Sequence, residues 1–127
     1  MKRPIHRRHF LQTSAVLGAG VWLGTSPVAR AAANDKLNLA VIGLANQGGV
    51  NLNAVSSAGT ENIVALCDVD DAHAAKSYEK HSGVKKYYDF RQMFDEMHKS
   101  IDAVVISTPD HTHFHPTRMA MTLGKHV

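Results

Sequence analysis

From Lys36 to Asp68 the chain reads K-L-N-L-A-V-I-G-L-A-N-Q-G-G-V-N, then a stretch of helical character, then N-I-V-A-L-C-D. An apolar strand runs into a turn of small residues, a helix follows, and a second apolar strand ends on an acid twenty residues after Gly48. No other part of the sequence restricts the fold as much. Strands that are apolar throughout and joined by a helix belong in a parallel sheet covered on both faces. The same order is the layout of a dinucleotide site. Glycines let the backbone approach a pyrophosphate, the helix presents its first N–H groups and positive dipole end, and the acid accepts from ribose hydroxyls.

Residues 1–31 are a separate segment. They open on Lys2, Arg3, Arg7 and Arg8, pass through an uncharged, mostly small or apolar run from Thr13 to Val28, and close on Ala29-Arg30-Ala31. A charged start, a short apolar run and a small-x-small cleavage site make a secretory signal, and the run is short for a membrane span. The R-R-H-F-L string resembles the twin-arginine signal, which exports proteins already folded. The expectation is a periplasmic or otherwise exported protein, handled by the twin-arginine machinery, with no stable membrane span after cleavage. An uncleaved N-terminal anchor is the alternative.

This segment also carries the basic excess. The whole chain has a formal net charge of +3. Five of its fourteen Lys+Arg (Lys2, Arg3, Arg7, Arg8, Arg30) and none of its eleven acids lie in residues 1–31, which leaves nine bases against eleven acids, a formal −2. That balance implies no nucleic-acid partner. Cys67 is the only cysteine, so an intrachain disulfide is impossible, and its place in an apolar run makes it a small buried hydrophobe.

Beyond residue 36 the pattern alternates. It predicts strands over 37–43, 63–68, 86–88 and 102–107, helices over 49–58, 71–82 and 90–99, and a last helix starting near Pro116. Asp89-x-x-Gln92 reads as a capping box, and Phe90, Met93, Phe94 and Met97 form one apolar helix face. The expected fold class is α/β: a doubly wound parallel sheet, a Rossmann-type dinucleotide-binding domain over residues 36–127. The chain stops on Gly124-Lys125-His126-Val127, where Gly124 reads as a helix end and the last three residues as the opening of a strand. The sheet is therefore expected to be incomplete, the domain truncated and marginally stable, with Ala103–Ile106 left as an apolar edge.

The candidate chemistry lies in three places. The turn Gly43-Leu44-Ala45-Asn46-Gln47-Gly48-Gly49 matches G-x-G-x-x-G at Gly43 and Gly48, with Ala45 in the middle. Asp68, at a strand tip, suits bidentate acceptance from ribose. Its charge opposes a 2′-phosphate and no Lys or Arg follows until Lys76, which favours NAD over NADP. The segment Ser107-Thr108-Pro109-Asp110-His111-Thr112-His113-Phe114-His115 follows the fourth strand and faces the same crevice. Its alternate histidines have metal-site spacing if the segment is extended, but Pro109 and Pro116 interrupt any regular strand and no partner carboxylates are apparent. A polar loop without a ligand is the simpler alternative. His73, His81, His98 and His126 read as surface or packing residues.

Four stretches together resemble the glucose–fructose oxidoreductase/inositol 2-dehydrogenase/MocA (Gfo/Idh/MocA) family of NAD(P)-dependent oxidoreductases. They are A-V-I-G with its turn, V-A-L-C-D-V-D, V-I-S-T-P-D-H-T-H and A-M-T-L-G-K-H-V, and the likeness covers Lys36 to Val127. The resemblance implies that Gly43, Ala45, Asn46 and Gly48 surround the pyrophosphate and that Asp68 holds the adenosine ribose. It implies that Thr108, Pro109, Asp110 and His113 line the nicotinamide half. Relatives continue into a Glu-Lys-Pro motif and a second domain that carries the substrate pocket, so no catalytic residue is expected in this chain. What the resemblance implies for the full-length protein is hydride transfer between a nicotinamide cofactor and a sugar or polyol. An NAD-dependent glycosidase of the same family and a non-catalytic dinucleotide-binding fragment are the alternatives.

Overall fold

A computed structural model describes residues 36–127; the signal-type segment 1–31 lies outside the described residues. The element order is β1 (Leu37–Ile42), α1 (Gln47–Ala58), β2 (Glu61–Cys67), α2 (Asp71–Lys80), β3 (Lys85–Tyr87), α3 (Phe90–Met97), β4 (Ala103–Ile106) and α4 (Phe114–Thr122). Short 3-10 turns, His98–Ser100 and Asp110–Thr112, flank β4. The four strands are parallel in the order β3-β2-β1-β4. His126 makes one further parallel bridge, to Ala103 on the far side of β4.

Strand pleating sorts the core into two layers, because successive side chains point to opposite faces. Ala40, Ile42, Ala65, Cys67 and Val104 face one way and pack with Met93 and Phe94 of α3 and Ala120 of α4. Val41 and Leu66 face the other way and pack with Leu52 of α1 and Ala74 and Tyr78 of α2. Helices on both faces explain why the strand runs are apolar at every position. Each large side chain buried this way, such as Phe94, Leu52 or Leu66, contributes roughly 1.5–3 kcal/mol of transfer free energy.

Element ends lie within two residues of the sequence pattern, and the shifts have local reasons. α1 begins at Gln47, with two glycines inside its first turn, because the turn closes early through Gly48 N–H to the Ala45 carbonyl (2.8 Å). α2 opens on Asp70, whose carboxylate accepts from Ala72 and His73 N–H at 3.0 Å each, and ends at Lys80. α3 is capped by Asp89 through Arg91 N–H (2.8 Å), and its last turn tightens into the 3-10 segment. α4 starts two residues before Pro116, which a first turn tolerates because its N–H groups have no helical acceptor. It ends in a Schellman motif: Lys125 N–H reaches the Ala120 carbonyl (2.9 Å) past Gly124 at φ +72°. No helix among the described residues is long and apolar enough to cross a membrane.

Candidate functional site

In an all-parallel sheet every strand ends on the same side, and the four segments that follow the strands here border one cleft of about 630 Å³. That volume is ordinary for a small-molecule site. After β1 come Gly43 to Gln47; after β2, Asp68 to Asp70 with His73; after β3, Tyr88 and Phe90; after β4, Ser107 to Pro109 with His111 and Thr112. No Lys or Arg lines the cleft.

The β1–α1 turn is shaped by close approach. Gly43 has φ +86°, and a Cβ there would lie 2.7 Å from the Ser107 carbonyl carbon and 2.8 Å from Thr108 N. A Cβ on Gly48 would lie 2.2 Å from the Gly43 carbonyl oxygen. Both positions therefore exclude a side chain, Gly43 for conformation and space, Gly48 for space alone. The middle position of the motif tolerates Ala45, because the one non-glycine residue of positive φ among those described is Asn46, at +48°. Asn46 stands at the N-cap of α1 without a side-chain cap bond, so the positive end of the helix remains open to an anion.

Asp68 is tied directly to this turn. Its Oδ2 accepts from Leu44 N–H at 2.7 Å and its Oδ1 from Asp70 N–H at 3.0 Å. The acid and the glycine turn thus share one mouth. Asp70 sits beside it, its carboxyl held below the usual range chiefly by the His73 backbone N–H. The Cys67 thiol, also in the cleft wall, is pushed up to about 12, first by burial and then by Asp68 and Asp89, so it stays a neutral thiol and not a nucleophile.

On the opposite lip, the Thr108 hydroxyl is buried and has no hydrogen-bond partner. A buried hydroxyl left this way costs free energy unless something completes it. His113 turns its Nε2 onto the Thr108 carbonyl and does not line the cleft. The alternate-histidine segment is not extended: it winds through a 3-10 turn into α4, and no cluster of three metal-binding side chains exists among the described residues.

Of the residues singled out from the sequence, Gly43, Ala45, Asn46, Asp68, Thr108 and Pro109 line the cleft. Gly48 lies behind the turn as a packing position, and Asp110 and His113 stand outside the lining. Sequence reasoning missed Val69, Tyr88 and Phe90, of which Val69 (69 %) and Tyr88 (65 %) are strongly exposed apolar side chains. A signal for Tyr88 existed. It follows the last residue of β3 directly, and in open α/β sheets every strand's carboxyl end faces the ligand crevice.

A doubly wound parallel sheet with a glycine turn, an acid at the second strand tip and a shared cleft is the nucleotide-binding class of α/β domain. The family model for oxidoreductases with an NAD-binding Rossmann fold (Gfo/Idh/MocA) matches residues 37–127, and the chain belongs to that family. No curated protein matches the sequence at a significant level. Among solved structures, it is similar to scyllo-inositol dehydrogenase from Lactobacillus casei with bound NAD(H) and scyllo-inositol (26 % identity, TM-score 0.60, 73 % of this chain and 27 % of that one). It shares the fold of GenD2 from gentamicin A biosynthesis in complex with NAD (18 % identity, TM-score 0.64, 73 % and 26 %). It also shares the fold of the WlbA dehydrogenase from Thermus thermophilus in complex with NAD and UDP-GlcNAcA (21 % identity, TM-score 0.61, 70 % and 31 %). The chain spans between a quarter and a third of the length of these structures.

Proposed function

We propose that this chain binds NAD in the cleft, as the cofactor-binding part of an exported oxidoreductase that moves hydride between nicotinamide and a sugar or polyol. The observation that carries the reading is the 2.7 Å bond from Leu44 N–H to Asp68, which puts the acid and the phosphate-type turn at one mouth. Three further features fit the same ligand. Gly43 and Gly48 let the turn fold tightly on itself and against Ser107–Thr108, where a Cβ would meet backbone atoms. The open end of α1 supplies N–H groups and dipole charge for a pyrophosphate. The orphaned Thr108 hydroxyl awaits a partner on the other lip.

Each of this chain's residues then has a task. Asp68 keeps lone pairs beyond those used by Leu44 and Asp70, and these accept from the adenosine ribose hydroxyls. Val69, Tyr88 and Phe90 offer apolar surface for the adenine. Two acids at the ribose end and a lining without Lys or Arg oppose a 2′-phosphate, which favours NAD over NADP. Thr108 and Pro109 border the nicotinamide half. The nicotinamide supplies the hydride chemistry when bound; this chain binds and orients it. Export rests on residues 1–31, with Arg7-Arg8 as the signal pair.

Titration of NADH fluorescence against the purified chain tests the central claim, with NADPH as the comparison. Saturable binding of NADH, at least about tenfold tighter than NADPH, is expected, a gap of roughly 1.4 kcal/mol. Absence of NADH binding to a folded chain overturns the reading. Export is tested separately: an Arg7→Lys, Arg8→Lys variant of the precursor is expected to stay in the cytoplasm.

A further inference from the structure

Asn51 lies outside the cleft lining, on the fifth residue of α1, and no part of the cofactor reading uses it. Its Nδ2 donates to the Ser107 Oγ at 2.9 Å, across 56 residues of sequence. Its Oδ1 accepts from Gln47 Nε2 at 3.0 Å, so the amide's orientation is fixed from the helix side as well. Ser107 is the first residue after β4, and its own N–H is bonded to the Ile42 carbonyl at 2.8 Å. The next residue is Thr108, with the unpartnered hydroxyl. The surroundings are tight: a Cβ on Gly43 would lie 2.7 Å from the Ser107 carbonyl carbon, and one on Gly48 would lie 3.4 Å from the Ser107 Cβ.

The two lips of the cleft therefore meet at their base through backbone packing. In the hydrogen-bond set of the described residues, Asn51 supplies the one side-chain bond between α1 and the segment after β4. The Ser107 N–H bond to the Ile42 carbonyl anchors the second lip to the end of β1, and the Asn51 bond adds a second, side-chain tie from that lip to α1. A dinucleotide is a ligand for which that span matters, since its phosphates rest on one lip and its nicotinamide on the other.

We propose that Asn51 is a positioning residue: through Ser107 it holds the Ser107–Thr108 lip at a set distance from the α1 turn, and so sets the span between pyrophosphate and nicotinamide. The proposal rests on the dinucleotide reading above and deepens it. A ligand lacking the nicotinamide ring makes no demand on the second lip, so the brace discriminates between NADH and ADP-ribose.

The test compares the unaltered chain with Asn51→Leu, Ser107→Ala and the double variant. NADH affinity is read by fluorescence, ADP-ribose affinity by displacement of NADH, and backbone amide exchange over residues 107–113 by mass spectrometry. Asn51→Leu is expected to weaken NADH by roughly five- to tenfold, the net worth of one hydrogen bond, and ADP-ribose by less than about twofold. Amide exchange over the lip is expected to rise. Ser107→Ala is expected to match it, and the double variant to be no worse than either single one, as two partners of one bond require. Asn51→Asp, which accepts from the Ser107 hydroxyl and restores the bond with reversed polarity, is expected to recover most of the NADH affinity. Equal weakening of both ligands overturns the proposal in favour of a general structural role. Unchanged lip exchange, or additive losses in the double variant, overturns it as well. If the unaltered, folded chain binds no NADH, the dinucleotide reading fails first and the proposal with it; if it binds NADH and the variants bind equally well, the proposal alone fails.

Discussion

Replacing Asp68 with alanine removes the acceptor of two backbone N–H groups, and the two losses are unequal. Leu44 is 1 % exposed, and its N–H, bonded to Oδ2 at 2.7 Å, has little access to water once the carboxylate is gone. Asp70 N–H, bonded to Oδ1 at 3.0 Å, is exposed and is rehydrated at little cost. A hydrogen bond to a charged acceptor is worth about 1.5–3 kcal/mol net, and stranding its buried donor puts the loss at the upper end. Asp68→Ala is therefore expected to lower the unfolding free energy by about 2–3 kcal/mol, nearly all of it from the Leu44 bond. Asp68→Asn keeps a neutral acceptor and is expected to cost about 1 kcal/mol. Urea unfolding of the three chains measures this, and NADH titration under native conditions measures the second role. Both variants are expected to bind NADH at least about tenfold more weakly, because the ribose loses its charged acceptor. An alanine variant within about 0.5 kcal/mol of the parent would refute the clamp, since ordinary surface substitutions fall in that range. Unchanged affinity in the asparagine variant, with the clamp intact, would remove the charge from the ribose assignment.

Gly48→Ala places a Cβ 2.2 Å from the Gly43 carbonyl oxygen, so the turn must open; a loss of about 1–3 kcal/mol in stability and of NADH binding is expected, by urea unfolding and fluorescence titration. Acid is expected to weaken the fold through His81, whose imidazole is held below its ordinary 6.5 by burial first and by Lys80 second. The unfolded chain takes up that proton near pH 6.5 while the folded chain resists it, so this contribution is intact above pH 6.5 and is lost as pH falls through the folded value. Urea midpoints at several pH values should show a smaller fall for His81→Gln, and parallel profiles would contradict the assignment. As pH falls into and below the carboxylate range Asp70 acts in the same direction, because its cap bonds to Ala72 and His73 favour the ionised form.

The sequence alone determined the class of the fold, since that depends on local composition. Apolar runs such as Leu39–Ile42 and Ala103–Ile106 have nowhere to go but a sheet covered on both faces, and Asp70, Asp89 and Gly124 mark helix ends by short-range bonds to their own neighbours. It also picked out Gly43 and Asp68, because the chemistry of a strand tip is carried by residue type. Tertiary structure decided what those residues touch. The bond between Asp68 and Leu44 spans 24 residues and the one between Asn51 and Ser107 spans 56, and no pattern within either segment encodes the other's position. The same holds for His113, which sequence placed at the cofactor and which packing turned onto the Thr108 carbonyl. Helix caps and strand runs are set by neighbours along the chain. The cleft is made where four strand ends meet, and only the register of the whole sheet brings those ends together.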